Sequence, residues 1–296
     1  MITIVLRKFR RVRVSPSAFT LVELLVTLAI ITVLFSIILP TYSYMRYRAR
    51  SVINIANQRS ISSSVTMYAG DNRDRCPDSV ATVGFGNSFN WAEPTKLIGN
   101  NFQGPGDHRA VSEYLGQYIS KADVMNCANA PRPPYPYLQE AWDAGDQWDN
   151  PDTIMGFDPL GGTFCYYWGY IGYQVDRQRP YYGPRRLSGN NKYSKLLVSD
   201  YLGYDHWRSP GAFGSCEKFE SSARVPETWL LSSYWAGSSR QDSDAVPEMK
   251  LNAGYIDGCV KSYNSKETIQ MKVSLSADGT IPYIDGLGPG IYYLPQ

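Results

Sequence analysis

The chain has 296 residues, and its formal net charge of +2 conceals a polarity. Arg7, Lys8, Arg10, Arg11 and Arg13 fall within residues 1–18 with no acid among them, so removing their +5 from +2 leaves −3 on the remainder. A mildly acidic body argues against nucleic acid as the main partner, because phosphate binding relies on clustered Lys and Arg. Its 23 Tyr and 7 Trp, with 25 Gly and 19 Pro, suit a loop-rich extracytoplasmic domain whose Tyr rings cover loops while their hydroxyls stay wet. The same composition is compatible with a sugar-binding surface. The five cysteines, Cys76, Cys127, Cys165, Cys216 and Cys259, are widely spaced and include no CxxC, which speaks against a zinc ribbon or a thioredoxin-like site. An exported domain has room for one or two disulfides with at least one thiol left over, and the spacing leaves their pairing open.

The basic segment is followed by Ser15, Pro16, Ser17 and Ala18, and then by an apolar run from Phe19 to Leu39. At about 1.5 Å per residue these 21 residues extend about 31 Å, the thickness of a bilayer's hydrocarbon core. Basic residues stay cytoplasmic, so the chain after Leu39 is expected on the far side of the inner membrane, as a single-pass protein. A secretory signal has its small-residue cleavage site after the apolar run. Here the small residues precede it, and Pro40-Thr41-Tyr42-Ser43 is a poor cleavage site. A plain signal anchor also leaves Glu23 without a reason, since a carboxylate in lipid costs a few kcal/mol.

Ala18-Phe19-Thr20-Leu21-Val22-Glu23-Leu24-Leu25-Val26 resembles the N-terminal signature of type IV pilins and type II secretion pseudopilins. The resemblance implies that a prepilin peptidase cuts between Ala18 and Phe19 and methylates the new Phe19 amine. Glu23 becomes the fifth residue of the mature chain, and Pro40 its twenty-second, where family members often have a helix-bending Pro. The residue before the cut is usually Gly in this family, and here it is Ala18. The new amine lies about 6 Å up the helix from Glu23, so the acid can neutralise it in the same chain or in a neighbouring subunit. Glu near a helix N-terminus is also favoured by the macrodipole.

Residues 41–69 contain no Gly or Pro and end at Gly70, a helix stop. Met45, Ala49, Val52 and Ala56 form a helical stripe that Ile61, Val65 and Tyr68 continue after a one-residue slip. The reading is therefore a leader over 1–18, a transmembrane helix over 19–39, its amphipathic continuation over 40–69, and a globular α+β head over 70–296. DNRDRCPD (71–78) is a turn cluster, 91–106 reads as loop, and 112–119 as a short helix. Residues 128–163, rich in Pro and acids, are expected to be an insertion. FCYYWGYIGYQV (164–175) and KLLVSDY (195–201) read as buried strands, and 202–247 as loop. LNAGYIDGCVKSY (251–263) is a hairpin turning at Asp257-Gly258, a two-residue turn of the primed type. TIQMKVSLSADGTIPYIDG (268–286) reads as a second hairpin, turning at Asp278-Gly279. Helix first, then an antiparallel sheet packed on it, gives a pilin-like α+β fold.

The head also resembles large, divergent planctomycete-type pseudopilin-like proteins, in Tyr167-Trp168-Gly169-Tyr170, in Leu196 to Asp200, and in Asn252 with Asp257-Gly258-Cys259-Val260. A His that often precedes the hairpin in those relatives is Pro247 here, so no role transfers to it. They also place Cys-Pro after a short helix, whereas Cys127 is followed by Ala128 and Cys76-Pro77 occurs earlier; a Cys76–Cys127 bridge is conceivable but has no support in the residues.

Little in the head suggests catalysis. His108 and His206 are the only histidines, each preceded by an acid, Asp107 and Asp205; such pairs orient an imidazole or bind metal, and two exposed polar loops account for them equally well. No GxSxG, HExxH or phosphate loop occurs. Asp143, Asp146, Asp149 and Asp152 recur every three residues, a spacing that does not supply the alternating ligands of an EF-hand. Some pseudopilins bind calcium in a head loop, and that cofactor alone stays open. The aromatic run Phe164 to Tyr173 reads as core before it reads as a sugar platform.

The expected function is a non-enzymatic pseudopilin or minor pilin-like subunit of a type II secretion or type IV pilus-like filament. Its partners are prepilin peptidase, other pilin or pseudopilin subunits and an inner-membrane assembly platform. The alternative is an anchored or filament-displayed protein whose head recognises surface polysaccharide.

Overall fold

The computed structural model describes residues 20–85, 88–91, 93–99, 108–129, 138–147, 161–188, 193–201, 250–264, 267–282 and 292–295. The chain divides into two compact units, Met1–Tyr47 and Arg48–Gln296. A helix, α1 (Leu21–Asp71), runs from the first into the second.

In the first unit α1 is long and apolar enough to cross a membrane. Its hydroxyls are absorbed by the helix's own carbonyls: Thr27 donates to Leu24 O, Thr32 to Ala29 O, Ser36 to Val33 O and Thr41 to Ile37 O. Such bonds satisfy these four donors within the helix, where lipid offers no partner. The helix continues through Pro40, whose missing N–H deprives one carbonyl of its usual donor.

In the second unit the half of α1 facing the core is Ser51, Asn54, Gln58, Ile61, Ser62, Val65 and Ala69, spaced by three and four residues as a helix face requires. The apolar stripe expected over Met45 to Ala56 is not that face: Met45 and Val52 are 62 % and 66 % exposed, and Ala49 and Ala56 are exposed as well. Only Ile61 and Val65 of that stripe are buried. The upper turns bury amides and hydroxyls instead, for a reason that lies on the opposing strands.

Those strands form two four-stranded antiparallel sheets. One has the order β3 (Phe164–Tyr166), β6 (Leu196–Asp200), β7 (Lys250–Tyr255), β8 (Val260–Asn264). The other has the order β10 (Tyr292–Pro295), β9 (Thr268–Val273), β4 (Ile171–Gln174), β5 (Arg179–Tyr182). A two-stranded ladder, β1 (Thr82–Phe85) with β2 (Ser88–Trp91), stands apart. The short helices α2 (Val111–Leu115) and α3 (Leu138–Ala144) and two 3-10 helices, at Ala122–Met125 and Gly145–Gln147, complete the described elements.

In the first sheet β3 and β6 are buried on both faces, which is why Phe164–Tyr166 and residues 196–198 read as apolar runs without alternation. Phe164, Tyr166, Leu197 and Val198 join Ile61, Val65, Leu115, Met125 and Trp142 in one core. Cys165, Leu196, Leu251 and Ala253 join Tyr170 and the second sheet's Ile171, Met271 and Val273 in another. Leu138, Ala141 and Trp142 of α3 are buried, so this part of residues 128–163 contributes to the core.

Three expected elements differ. Residues 164–175 are two strands in two sheets, because the chain turns between them with Tyr170 N–H on Tyr167 O. The hairpin over 251–263 is present, but its turn is not of the primed type. Gly258 N–H donates to Tyr255 O and Tyr255 N–H to Cys259 O, and Gly258 alone adopts a left-handed conformation, φ +76°, with Asp257 on the ordinary side. That is a three-residue loop with Gly in the bulge position. The turn at Asp278-Gly279 also forms, with Gly279 N–H on Ser276 O. Among the described residues its return arm makes the isolated bridge Ser274–Pro282, with Leu275 N–H on Ile281 O, and β9 pairs with β10 and β4 instead.

Candidate functional site

The start of α1 carries a capping box. Thr20 N–H and Thr20 Oγ1 both donate to Glu23 Oε2, at 2.9 and 2.8 Å, while Glu23 N–H donates back to Thr20 Oγ1 at 3.2 Å. Two N–H groups that the helix leaves without internal partners are thereby satisfied. The Thr-x-x-Glu spacing that announces this box is legible in Thr20-Leu21-Val22-Glu23. Ala18 and Phe19 lie outside the described residues, and Pro40 lies within the helix.

Residues 15–39 match the family model of the prokaryotic N-terminal methylation motif. The chain carries the type IV pilin and pseudopilin signature. This is the motif of pilin-like precursors, which are processed by prepilin peptidase and assembled with other pilin subunits. Its apolar helix fits the membrane anchoring of a pilin. No curated protein and no solved structure matches the chain.

Behind the pilin-type N-terminus, the α1 face buried in the second unit meets a carboxylate. Asp200, at the end of β6, has no exposure. Its Oδ1 accepts from Asn54 Nδ2 at 2.9 Å and Gln58 Nε2 at 2.8 Å, one helical turn apart on α1. Its Oδ2 accepts from Asn252 N–H at 2.8 Å and Asn252 Nδ2 at 3.0 Å. Gln58 Nε2 also reaches Asn252 O at 3.2 Å, and Ser262 Oγ donates to Asn252 Oδ1 at 2.6 Å. One carboxylate therefore joins α1, β6, β7 and β8. The close approach needs Gly254, because a Cβ there would lie 2.7 Å from Ser62 Oγ and 2.9 Å from Val198 Cγ1.

A second polar cluster gathers residues that the sequence singled out separately. Asp146 Oδ2 lies 2.8 Å from His108 Nδ1, and Asp146 Oδ1 accepts the N–H groups of Arg109 and Ala110 at 2.9 Å each. The Arg109 guanidinium donates to Asp146 O, and Asp146 N–H donates to Glu113 Oε1 at 3.1 Å. The His108 ring meets Tyr114 edge-on at 5.0 Å. The ligand-type atoms of His108, Glu113 and Asp146 lie within 4.8 Å of one another, but they are engaged with each other and with backbone N–H groups. The arrangement cross-links two segments 36 to 38 residues apart. Asp143 goes elsewhere, to Gln139 Nε2. Asp107, Asp149, Asp152, Asp205 and His206 lie outside the described residues.

The aromatic run is core. Tyr167, Trp168 and Tyr170 are at most 1 % exposed; Tyr166 donates its hydroxyl to Met125 O, and Tyr167 pairs with Ser199 Oγ. Burial pushes the Tyr167 and Tyr170 hydroxyls well above the usual tyrosine range. Cys76, Cys165 and Cys259 are free thiols, and Cys127 is disulfide-bonded to a partner outside the described residues. A Cys76–Cys127 bridge is thus excluded.

A cleft of about 550 Å³ opens beside β5, lined by Arg177, Arg179, Tyr182, Tyr193, Ser194 and Gln174 among others. Tyr182 donates its hydroxyl to Asp278 O at 2.7 Å, and Tyr193 meets its ring edge-on at 6.2 Å. Arg179 Nε donates to Gln174 Oε1 at 2.9 Å.

Proposed function

We propose that the protein is a pseudopilin or minor pilin-like subunit of a type II secretion or type IV pilus-like filament, incorporated through Glu23. Residues 1–18 are the leader, cut between Ala18 and Phe19. Residues 19–39 span the inner membrane once, with the N-terminus cytoplasmic, and 40–69 carry the helix under an extracytoplasmic head, 70–296, with 128–163 inserted. Pro40 bends the helix, and an inner-membrane platform drives assembly. The observation that carries the reading is the pairing of the methylation motif with an acid inside an apolar helix. A disulfide at Cys127 supports an oxidising location for the head.

The capping box offers a competing account of Glu23, and one substitution separates the two. Gln at the third helical position still closes a capping box but carries no charge for a neighbour's amine. Glu23→Gln and Glu23→Leu proteins that both reach the membrane yet fail to enter filaments support assembly through the charge. Normal incorporation of Glu23→Gln, with failure only of Glu23→Leu, would show that the acid merely caps the helix. Intact-mass analysis of membrane-extracted protein checks the processing step: loss of residues 1–18 and one added methyl group are expected.

A further inference from the structure

We propose that the cleft beside β5 binds a segment of acidic polysaccharide, with its carboxylates on Arg177 and Arg179 and its sugar rings against Tyr182 and Tyr193. Charge complementarity is the first argument. The chain beyond its first 18 residues is net acidic, yet among the described residues lining this cleft both charged side chains are arginines and none is a carboxylate. Arg177 and Arg179 are exposed. The bond from Arg179 to Gln174 uses Nε, so the two terminal nitrogens are the donors that a ligand carboxylate takes, in the fork geometry that suits a planar anion.

Shape and chemistry of the walls are the second argument. A volume of about 550 Å³ falls within the range of small-ligand sites and holds a short run of linked rings. Tyr182 is pinned by its hydroxyl on Asp278 O and braced by Tyr193. A fixed Tyr pair gives a ligand an apolar face and a polar rim at little entropic cost. Ser194, partly exposed on the wall, adds a hydroxyl for sugar hydroxyls.

The third argument disfavours a peptide. β5 is an edge strand, and peptides commonly add to such edges through main-chain bonds. Here Pro180 supplies no N–H, and Tyr182 O is already taken by Ser194 N–H at 2.9 Å.

The inference rests on the proposed extracytoplasmic placement only for where the polymer is met; the binding measurement does not depend on filament assembly, so either reading can fail alone. The test titrates the full-length protein in detergent micelles with oligogalacturonate, its fully methyl-esterified form and an oligoglutamate of equal charge, by calorimetry. Binding of the oligogalacturonate alone is expected, weakening as salt rises, and falling about tenfold or more in Arg177→Gln/Arg179→Gln and in Tyr193→Ala. Folding of each variant is checked by its thermal transition. Absence of oligogalacturonate binding, equal binding of the esterified form or the oligoglutamate, or unchanged affinity in both variants overturns the proposal.

Discussion

Replacing Asp200 by Ala tests whether one buried carboxylate joins α1 to the sheet. The substitution removes the acceptor of four hydrogen bonds between 2.8 and 3.0 Å, made by Asn54, Gln58 and Asn252. Gln58 Nε2 keeps Asn252 O, so the larger losses fall on Asn54 Nδ2 and on the two donors of Asn252. All three residues are at most 1 % exposed, so water does not readily replace the carboxylate. A buried donor left without a partner costs about 1–3 kcal/mol, and such costs within one network do not simply add. The expected loss is about 3–5 kcal/mol, the range typical of breaking a buried charged interaction. For a unit of this size each kcal/mol corresponds to about 2–4 °C, so the transition falls by about 6 °C or more. The assay is thermal unfolding of residues 48–296, the compact second unit, with Leu197→Ala as a calibrating loss of apolar contact at a fully buried site. A double-mutant cycle with Asn54→Ala gives a coupling of about 1 kcal/mol or more. An Asp200→Ala transition within about 2 °C of the parent, beside a clear loss in Leu197→Ala, refutes the reasoning.

Gly258→Ala costs about 1–2 kcal/mol in the same unfolding assay, because the left-handed backbone at φ +76° is strained for Ala while no atom stands within 4 Å of the new methyl. Gly254→Ala adds a steric conflict with Ser62 and Val198 and costs about 1–3 kcal/mol, with its effect abolished in part by Ser62→Gly. Burial pushes the Cys76 thiol up to about 12, so at pH 8 a thiol reagent labels half-exposed Cys259 first and reaches Cys76 only on unfolding; equal rates in the folded protein contradict this. Side-chain bonds from Ser276 and Thr280 hold the Asp278 carboxyl down to about 2. Its contribution to the turn is present above the ordinary carboxylate range and disappears as pH falls from about 4 through about 2; the carboxyl carbon signal follows that titration, and its midpoint rises in Thr280→Val.

The two ends of α1 show why the chain was legible at one and misleading at the other. Around Glu23 every informative residue lies within one helical turn, so a short string of letters holds the whole device, including the Thr-x-x-Glu box. At the far end the rule that apolar residues face inward selected Met45, Ala49, Val52 and Ala56. Those residues are exposed, and the face two positions on, roughly opposite around the helix, buries Asn54, Gln58 and Ser62. Nothing local marks that choice, because the acceptor that makes buried amides affordable is Asp200, 142 to 146 residues later, completed by Asn252 a further 52 residues on. The same limit explains the strands. Strand character was legible at 164–175 and 268–286, but the partner of each strand is set by packing across two cores rather than by the nearest turn. In the sequence Asp200 and Asn252 are points of resemblance with no physical task. Their shared task is to give the polar half of α1 a reason to pack, and that makes the head's attachment to its helix depend on hydrogen-bond geometry. A face of amides closes on one carboxylate in one register, whereas an apolar stripe of equal area tolerates sliding by a turn; for a helix proposed to carry a head into a filament at fixed axial spacing, the polar solution is the more restrictive of the two.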